Sequence, residues 1–128
     1  MKPLQLVPET DPVLREVAKA VTTENVKRLV REMAHIARIH NGAGLAAPQV
    51  GVSLRVIILR LTGMPSELIN PEWKPAEGAA LEAGKEGCLT LPGRNLSIHR
   101  HTRIMVRHLA VALGRVIGEI EREFPHGY

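Results

Sequence analysis

A change of period near residue 50 constrains this 128-residue chain more than any other feature. Before it, apolar residues recur three and four positions apart, as on one face of a helix. After it they form short β-branched runs or alternate with polar residues, as strands do. Asp11-Pro12 is the first helix signal, an N-cap followed by a proline suited to the first helical position, with Val13, Leu14, Val17, Ala18 and Val21 as the apolar face. A longer helix is expected from Thr23 to about His40 on Val26, Leu29, Val30, Met33, Ala37 and His40, stopped by Asn41-Gly42. Strands are expected at 55–59, 68–71, 103–107 and 115–121, the second stopped by Pro71, and Leu89-Thr90-Leu91 should run into a turn at Pro92-Gly93. Helices first and strands later predict an α+β fold, and the length predicts a single domain over 1–128.

Composition narrows the partners. Aromatic residues are only 2% of the chain, so the core must be aliphatic and platforms for stacking single-stranded nucleic acid are lacking. The net charge of +4 suits a polyanionic partner, but Arg28, Arg31, Arg38, Arg55, Arg60, Arg94, Arg100, Arg103, Arg107 and Arg115 form no single block, so an ordinary solvated surface is expected. Cys88 is the one cysteine, which excludes an intrachain disulfide and suits a reducing compartment. The opening MKPLQLVPETDP has no apolar run of the signal-peptide kind, and no stretch approaches the roughly 20 apolar residues of a membrane span. A cytoplasmic protein without a membrane or DNA partner is the expectation.

Two segments could carry chemistry. Gly42-Ala43-Gly44-Leu45-Ala46-Ala47-Pro48-Gln49-Val50-Gly51 follows a helix and precedes a strand. Its glycines permit positive φ or a close approach of another chain, and Gln49 adds an amide donor of the kind that stabilises a developing oxyanion. Read by itself, its glycine spacing favours a helix cap followed by a turn. Glu86-Gly87-Cys88-Leu89-Thr90 contains a thiol that could be a soft metal ligand, a nucleophile or a small buried hydrophobe.

Together, GAGLAAPQVG and EGCLT resemble the first two signature motifs of the peptide deformylase family. Asp11-Pro12-Val13-Leu14-Arg15, Leu68-Ile69-Asn70-Pro71 and the stretch from Pro92 to Arg107 extend the resemblance along essentially the whole chain. It implies a metal-dependent hydrolase that removes the N-formyl group from formylmethionine at the start of nascent polypeptides. Cys88 would be one of three protein ligands to a metal, usually Fe²⁺, with Zn²⁺ and Ni²⁺ as alternatives. Gln49 and the Leu89 N–H would hold the formyl oxygen, Gly44 would bind the substrate backbone, and Glu86 would order the site against an arginine such as Arg100.

The family's third motif, a helix bearing His-Glu-x-x-His, does not occur in this sequence. Its histidines share one helical face, so that both reach one metal. Here His35 and His40 are five apart, and His99 and His101 two apart without a suitable glutamate; neither pair reads as a metal site. Residues 118–123 are either a decayed form of that motif or, as their alternation favours, a strand leading towards it, the sequence stopping a few residues short. On either account Cys88 alone would not hold the metal tightly and the 128-residue chain should be inactive. Apolar surface left without that helix would invite a homodimer. Two further readings are a catalytically inactive relative that binds nascent peptides or the ribosome, and a cysteine hydrolase pairing Cys88 with a histidine that the sequence does not mark.

Overall fold

In the computed structural model, residues 3–22, 26–60, 67–88, 91–101, 103–112 and 115–124 are described; within 82–101 and 110–118 the description is of the backbone alone. Asp11 does act as a cap, its Oδ1 accepting from the Val13 N–H at 3.0 Å, but the helix it opens is one 3-10 turn, Pro12–Arg15. The expected continuation to Val21 does not form: Glu16 is extended and Val17 is 93% exposed. Tertiary hydrogen bonds take this backbone instead. Lys19 donates to the Ser53 carbonyl at 3.1 Å and accepts from Arg55 N–H at 2.8 Å, while both backbone groups of Val21 are bound by the side chain of Asn70. A short isolated helix is too weak to compete with such bonds.

The α-helix among the described residues is α1, Lys27–Ile39, which buries Met33, Ile36 and Ala37 and follows a buried Val26. Leu29 and Val30 pack partly against the same core, as the spacing predicts, whereas His40 is exposed. Thr23, the expected N-cap, lies outside the described residues. At the other end Asn41 adopts φ 51°, its N–H reaching the Arg38 carbonyl at 3.2 Å and the Gly42 N–H that of Ala37 at 2.8 Å. This is the Schellman ending, with asparagine rather than glycine in the left-handed position.

Among the described residues seven strands follow: β1 Gly44–Ala46, β2 Val56–Leu59, β3 Glu67–Pro75, β4 Leu81–Cys88, β5 Leu91–His101, β6 Ile104–Ala112 and β7 Arg115–Phe124. Five form an antiparallel sheet in the order β1-β2-β3-β6-β7, while β4 and β5 pair with each other. The sheet has a core on each face. Val56, Ile58 and Ile69 join α1, Leu45 and Ala47 in one cluster; Leu68, Val106 and Phe124 form the other, with Ile57, Leu59 and Ile104 against it. The α+β expectation is met.

Pro71, expected to stop its strand, and Pro92, expected in a turn, both lie inside strands. Pro71 falls in a register shift between Ile69 and Glu72, so β3 continues to Pro75. Pro92-Gly93 is not a turn: β5 runs through it, where pairing jumps from Cys88 with Leu91 to Gly87 with Asn95. A bulge leaves residues unpaired, so a proline there forfeits no ladder bond. Residues 118–123 lie within β7, paired to β6, so they are strand and not a degenerate form of a helical motif.

Candidate functional site

The first motif is built from four consecutive devices. The Asn41-Gly42 ending stops α1, and the Arg60 guanidinium donates to the carbonyls of Ala37 (3.2 Å) and Gly42 (3.1 Å), tying the helix end to the strand beyond. Edge strand β1 follows, then a 3-10 turn at Ala47–Val50, then Gly51 at φ 83°. The motif glycine that needs left-handed backbone is therefore Gly51; neither Gly42 nor Gly44 has positive φ.

Gly44 matters through the strand it sits in. β1 pairs with β2 on one side, Gly44 opposite Leu59 and Leu45 opposite Ile58, and has no strand on its other side among the described residues. The Arg60 N–H bonds the Ala43 carbonyl at 2.8 Å, which makes 43 and 60 a hydrogen-bonded pair. Antiparallel pairs alternate, so Leu45 also bonds inward, while the N–H and C=O groups of Gly44 and Ala46 point away from β2. A Cβ at Gly44 would lie 3.5 Å from the Ile58 carbonyl oxygen, an ordinary contact. The chain's own packing thus does not demand glycine there, and its open edge is free of a side chain.

Gln49 is held at its backbone carbonyl and at its side-chain oxygen. Its carbonyl accepts from the Val7 N–H at 2.9 Å, and its Oε1 accepts from the Ala46 N–H at 2.9 Å. A backbone N–H can only donate, so the atom facing Ala46 must be the amide oxygen. The planar amide then turns its NH₂ end away from Ala46. One outward group of the β1 edge is consumed in fixing this donor, and Gly44 keeps both of its own facing outward.

The second motif is described as backbone. Glu86 and Cys88 lie at the end of β4, Glu86 opposite Leu96 and Cys88 opposite Leu91. Their side chains, and Leu89 altogether, lie outside what is described. In the backbone register Arg100 lies opposite Glu82 and Leu96 opposite Glu86. Among the described residues no three His, Cys, Asp or Glu side chains converge as a metal site.

Two residues important to the architecture carried no signal in the pattern. Asn70 accepts from the Val21 N–H at 2.6 Å and donates to the Val21 carbonyl at 2.8 Å, pinning the N-terminal segment to β3. His108 is buried on β6, 3% exposed, with Nδ1 3.1 Å from the Leu109 carbonyl and no hydrogen-bond partner for Nε2. His35 is exposed beside Arg38. No helix among the described residues is long and apolar enough to cross a membrane.

An edge strand with outward backbone groups thus lies beside an amide whose oxygen is fixed. The family model for polypeptide deformylase matches residues 3–121, and the chain belongs to that family. It is 44% identical over 99 residues to a peptide deformylase of Dictyoglomus turgidum, covering 76% of this chain and 63% of the relative. With that of Thermotoga neapolitana it shares 39% over 120 residues, 92% of this chain and 70% of the relative. The chain therefore spans less than two-thirds of the length of the first of these relatives. The crystal structure of peptide deformylase from Thermotoga maritima superposes with a TM-score of 0.85 at 34% identity, covering 98% of this chain and 83% of that one. The peptide deformylase of Synechococcus elongatus in complex with actinonin gives 0.85 at 33%, covering 98% and 68%.

Proposed function

We propose that this chain supplies the peptide-binding edge and the oxyanion donors of a metal-dependent hydrolase that removes the N-formyl group from formylmethionine of nascent polypeptides. The observation that carries the reading is Gln49, its amide oxygen locked by Ala46 so that its NH₂ group is presented beside the open edge of β1. A substrate extended along β1 would pair with the outward groups of Gly44, as peptides add to exposed sheet edges. Its formyl oxygen would receive the Gln49 amide and the Leu89 N–H, two donors preorganised where negative charge develops. In this reading Glu86 orders the site, and Cys88 gives one thiolate to the metal, with Fe²⁺ favoured over Zn²⁺ and Ni²⁺. Two histidines and a proton-carrying glutamate would come from a His-Glu-x-x-His segment, which these 128 residues do not contain. When bound, such a metal supplies Lewis-acid polarisation of the carbonyl.

The 128-residue chain, supplied with Fe²⁺ under anaerobic conditions, is expected to release no formate from formyl-Met peptides. A chain extended by a His-Glu-x-x-His helix should release it, and Gln49→Ala in that chain should lower kcat by about 10²–10³-fold, the usual loss for one oxyanion donor. Turnover that ignores Gln49→Ala would refute the reading. The lack of a His-Glu-x-x-His motif in these 128 residues raises one second reading, a catalytically silent relative that binds nascent N-termini. That reading predicts formyl-peptide binding along 44–49 by amide shift mapping, with no turnover even in the extended chain.

A further inference from the structure

Three bonds from one residue hold the approach to β1. The Nη1 atom of Arg60 donates to the carbonyls of Ala37 (3.2 Å) and Gly42 (3.1 Å), and the Arg60 N–H donates to the Ala43 carbonyl at 2.8 Å. The consecutive carbonyls of Gly42 and Ala43 are therefore fixed by the same residue, one by its side chain and the other by its backbone. The Ala37 carbonyl, which also accepts from the Gly42 N–H at 2.8 Å, belongs to the last turn of α1, where the helix dipole favours a cation. Arg60 directly follows β2, whose last residue, Leu59, lies opposite Gly44. The guanidinium thus ties the end of α1 and the end of β2 to the start of β1.

That start is the weakly packed end of the edge. β1 has three residues and one strand neighbour among the described residues. Downstream it is anchored by Leu45 and Ala47, which are 1% and 0% exposed. Upstream lies Gly42-Ala43-Gly44, and glycine gives up more conformational freedom on folding than any other residue. The small side chains that keep this end open also leave it little packing of its own, Ala43 and Gly44 both being exposed. We propose that Arg60 is a positioning residue for peptide binding. Through Gly42 and Ala43 it holds the Gly44 end of β1, so that the outward N–H and C=O of Gly44 meet an extended formyl-peptide in register with the Gln49 amide. The proposal rests on the reading of β1 as the peptide edge, and it gives Arg60 bonds to the protein's own carbonyls and none to the substrate.

The 128-residue chain is tested by two measurements. In the free protein, amide hydrogen exchange at Leu45, which bonds towards β2, and at Ala46, which bonds Gln49 Oε1, should be roughly tenfold faster in Arg60→Met, while β6 and β7 exchange as before. Titrated with a formyl-Met-Ala-Ser peptide and followed through the amide shifts of residues 44–49, Arg60→Met should bind at least about fivefold more weakly than wild type. Arg60→Lys keeps the charge without the planar fork and should fall between the two. Arg103→Met removes a similar guanidinium–carbonyl bond, 3.0 Å to Glu77 and outside the β1–β2 pair, and should change both measurements by less than about twofold. If Arg60→Met fails to fold, Arg60→Lys carries the comparison, with exchange at Leu45 and Ala46 rising by roughly threefold. Unchanged exchange at Leu45 and Ala46 would overturn the proposal, as would acceleration shared equally by β6 and β7, which marks a general loss of stability. Faster exchange with unaltered peptide affinity would overturn it too. A wild-type chain that does not bind the peptide would refute the peptide-edge reading and the proposal together, whereas a failure confined to the Arg60 variants refutes the proposal alone.

Discussion

Asn70 concentrates three tasks in one side chain. It takes φ 51° at the β3 bulge, it receives the Val21 N–H, and it donates to the Val21 carbonyl. Asparagine tolerates left-handed backbone better than most residues, and its amide carries both a donor and an acceptor. Asn70→Ala should therefore cost about 2–4 kcal/mol, because two partly buried backbone groups lose their partners. Asn70→Asp keeps the acceptor and loses the donor, so its cost should fall between wild type and alanine. Asn70→Gly relieves the backbone but not the hydrogen bonds and should remain close to alanine. Urea denaturation of the three variants gives the order. A glycine variant as stable as wild type would show that the φ value, and not the clamp, is what this position contributes.

At the scale of elements, the sheet carries a surface ladder that runs across strands. Arg55 precedes β2, Glu72 is on β3, Arg107 on β6 and Glu119 on β7, with closest N–O distances of 3.8, 2.7 and 3.7 Å in turn. The hydrogen bond from Arg107, reinforced by its charge, holds the Glu72 carboxyl below its usual value of 4.5, and the same pair raises Arg107. A carboxyl lowered on folding contributes stability above its ordinary pKa and loses that contribution as the pH falls through the lowered value. The groups are exposed, so the effect on stability is small and screened by salt. The sharper readout is an NMR titration of the Glu72 carboxyl, whose midpoint should rise towards 4.5 in Arg107→Met. An unchanged midpoint would mean that the pair does not persist in solution.

Elements also show where local rules were sufficient. The stripe of Val26, Leu29, Val30, Met33 and Ala37 identified α1, and the run at 56–59 identified β2, because each pattern reports the face that becomes buried. Pro71 does not stop its strand and Pro92-Gly93 does not form a turn, because a proline's missing N–H matters only where the ladder needs it, and bulges are set by pairing partners far away in sequence. The Asp11 cap was real, but the cap fixes only where a helix begins; Ser53, Arg55 and Asn70 decided where this one ended. In the site, the motif letters pointed to Gln49. The Ala46 contact that aims its amide depends on the 3-10 turn, which no residue pattern announced.

Over the whole molecule, the five-stranded sheet is a plate with a separate core on each side. Adjacent residues show the division: Leu68 (4% exposed) belongs to one cluster and Ile69 (1%) to the other. Ile58 on β2 and Phe124 on β7 lie on opposite sides and three strand spacings apart, about 14 Å. Such sites should be energetically independent. Ile58→Val should cost about 0.5–1.5 kcal/mol, and combining it with Phe124→Leu should give the sum of the single effects to within about 0.5 kcal/mol. Val106 shares the Phe124 cluster, so Val106→Ala combined with Phe124→Leu should depart from additivity by more than that, since the two changes share one cavity. Urea denaturation with an unchanged m-value measures both cycles on the same footing. Strong coupling between Ile58 and Phe124 would show that the two cores respond as one, with the sheet backbone transmitting the repacking from one side to the other.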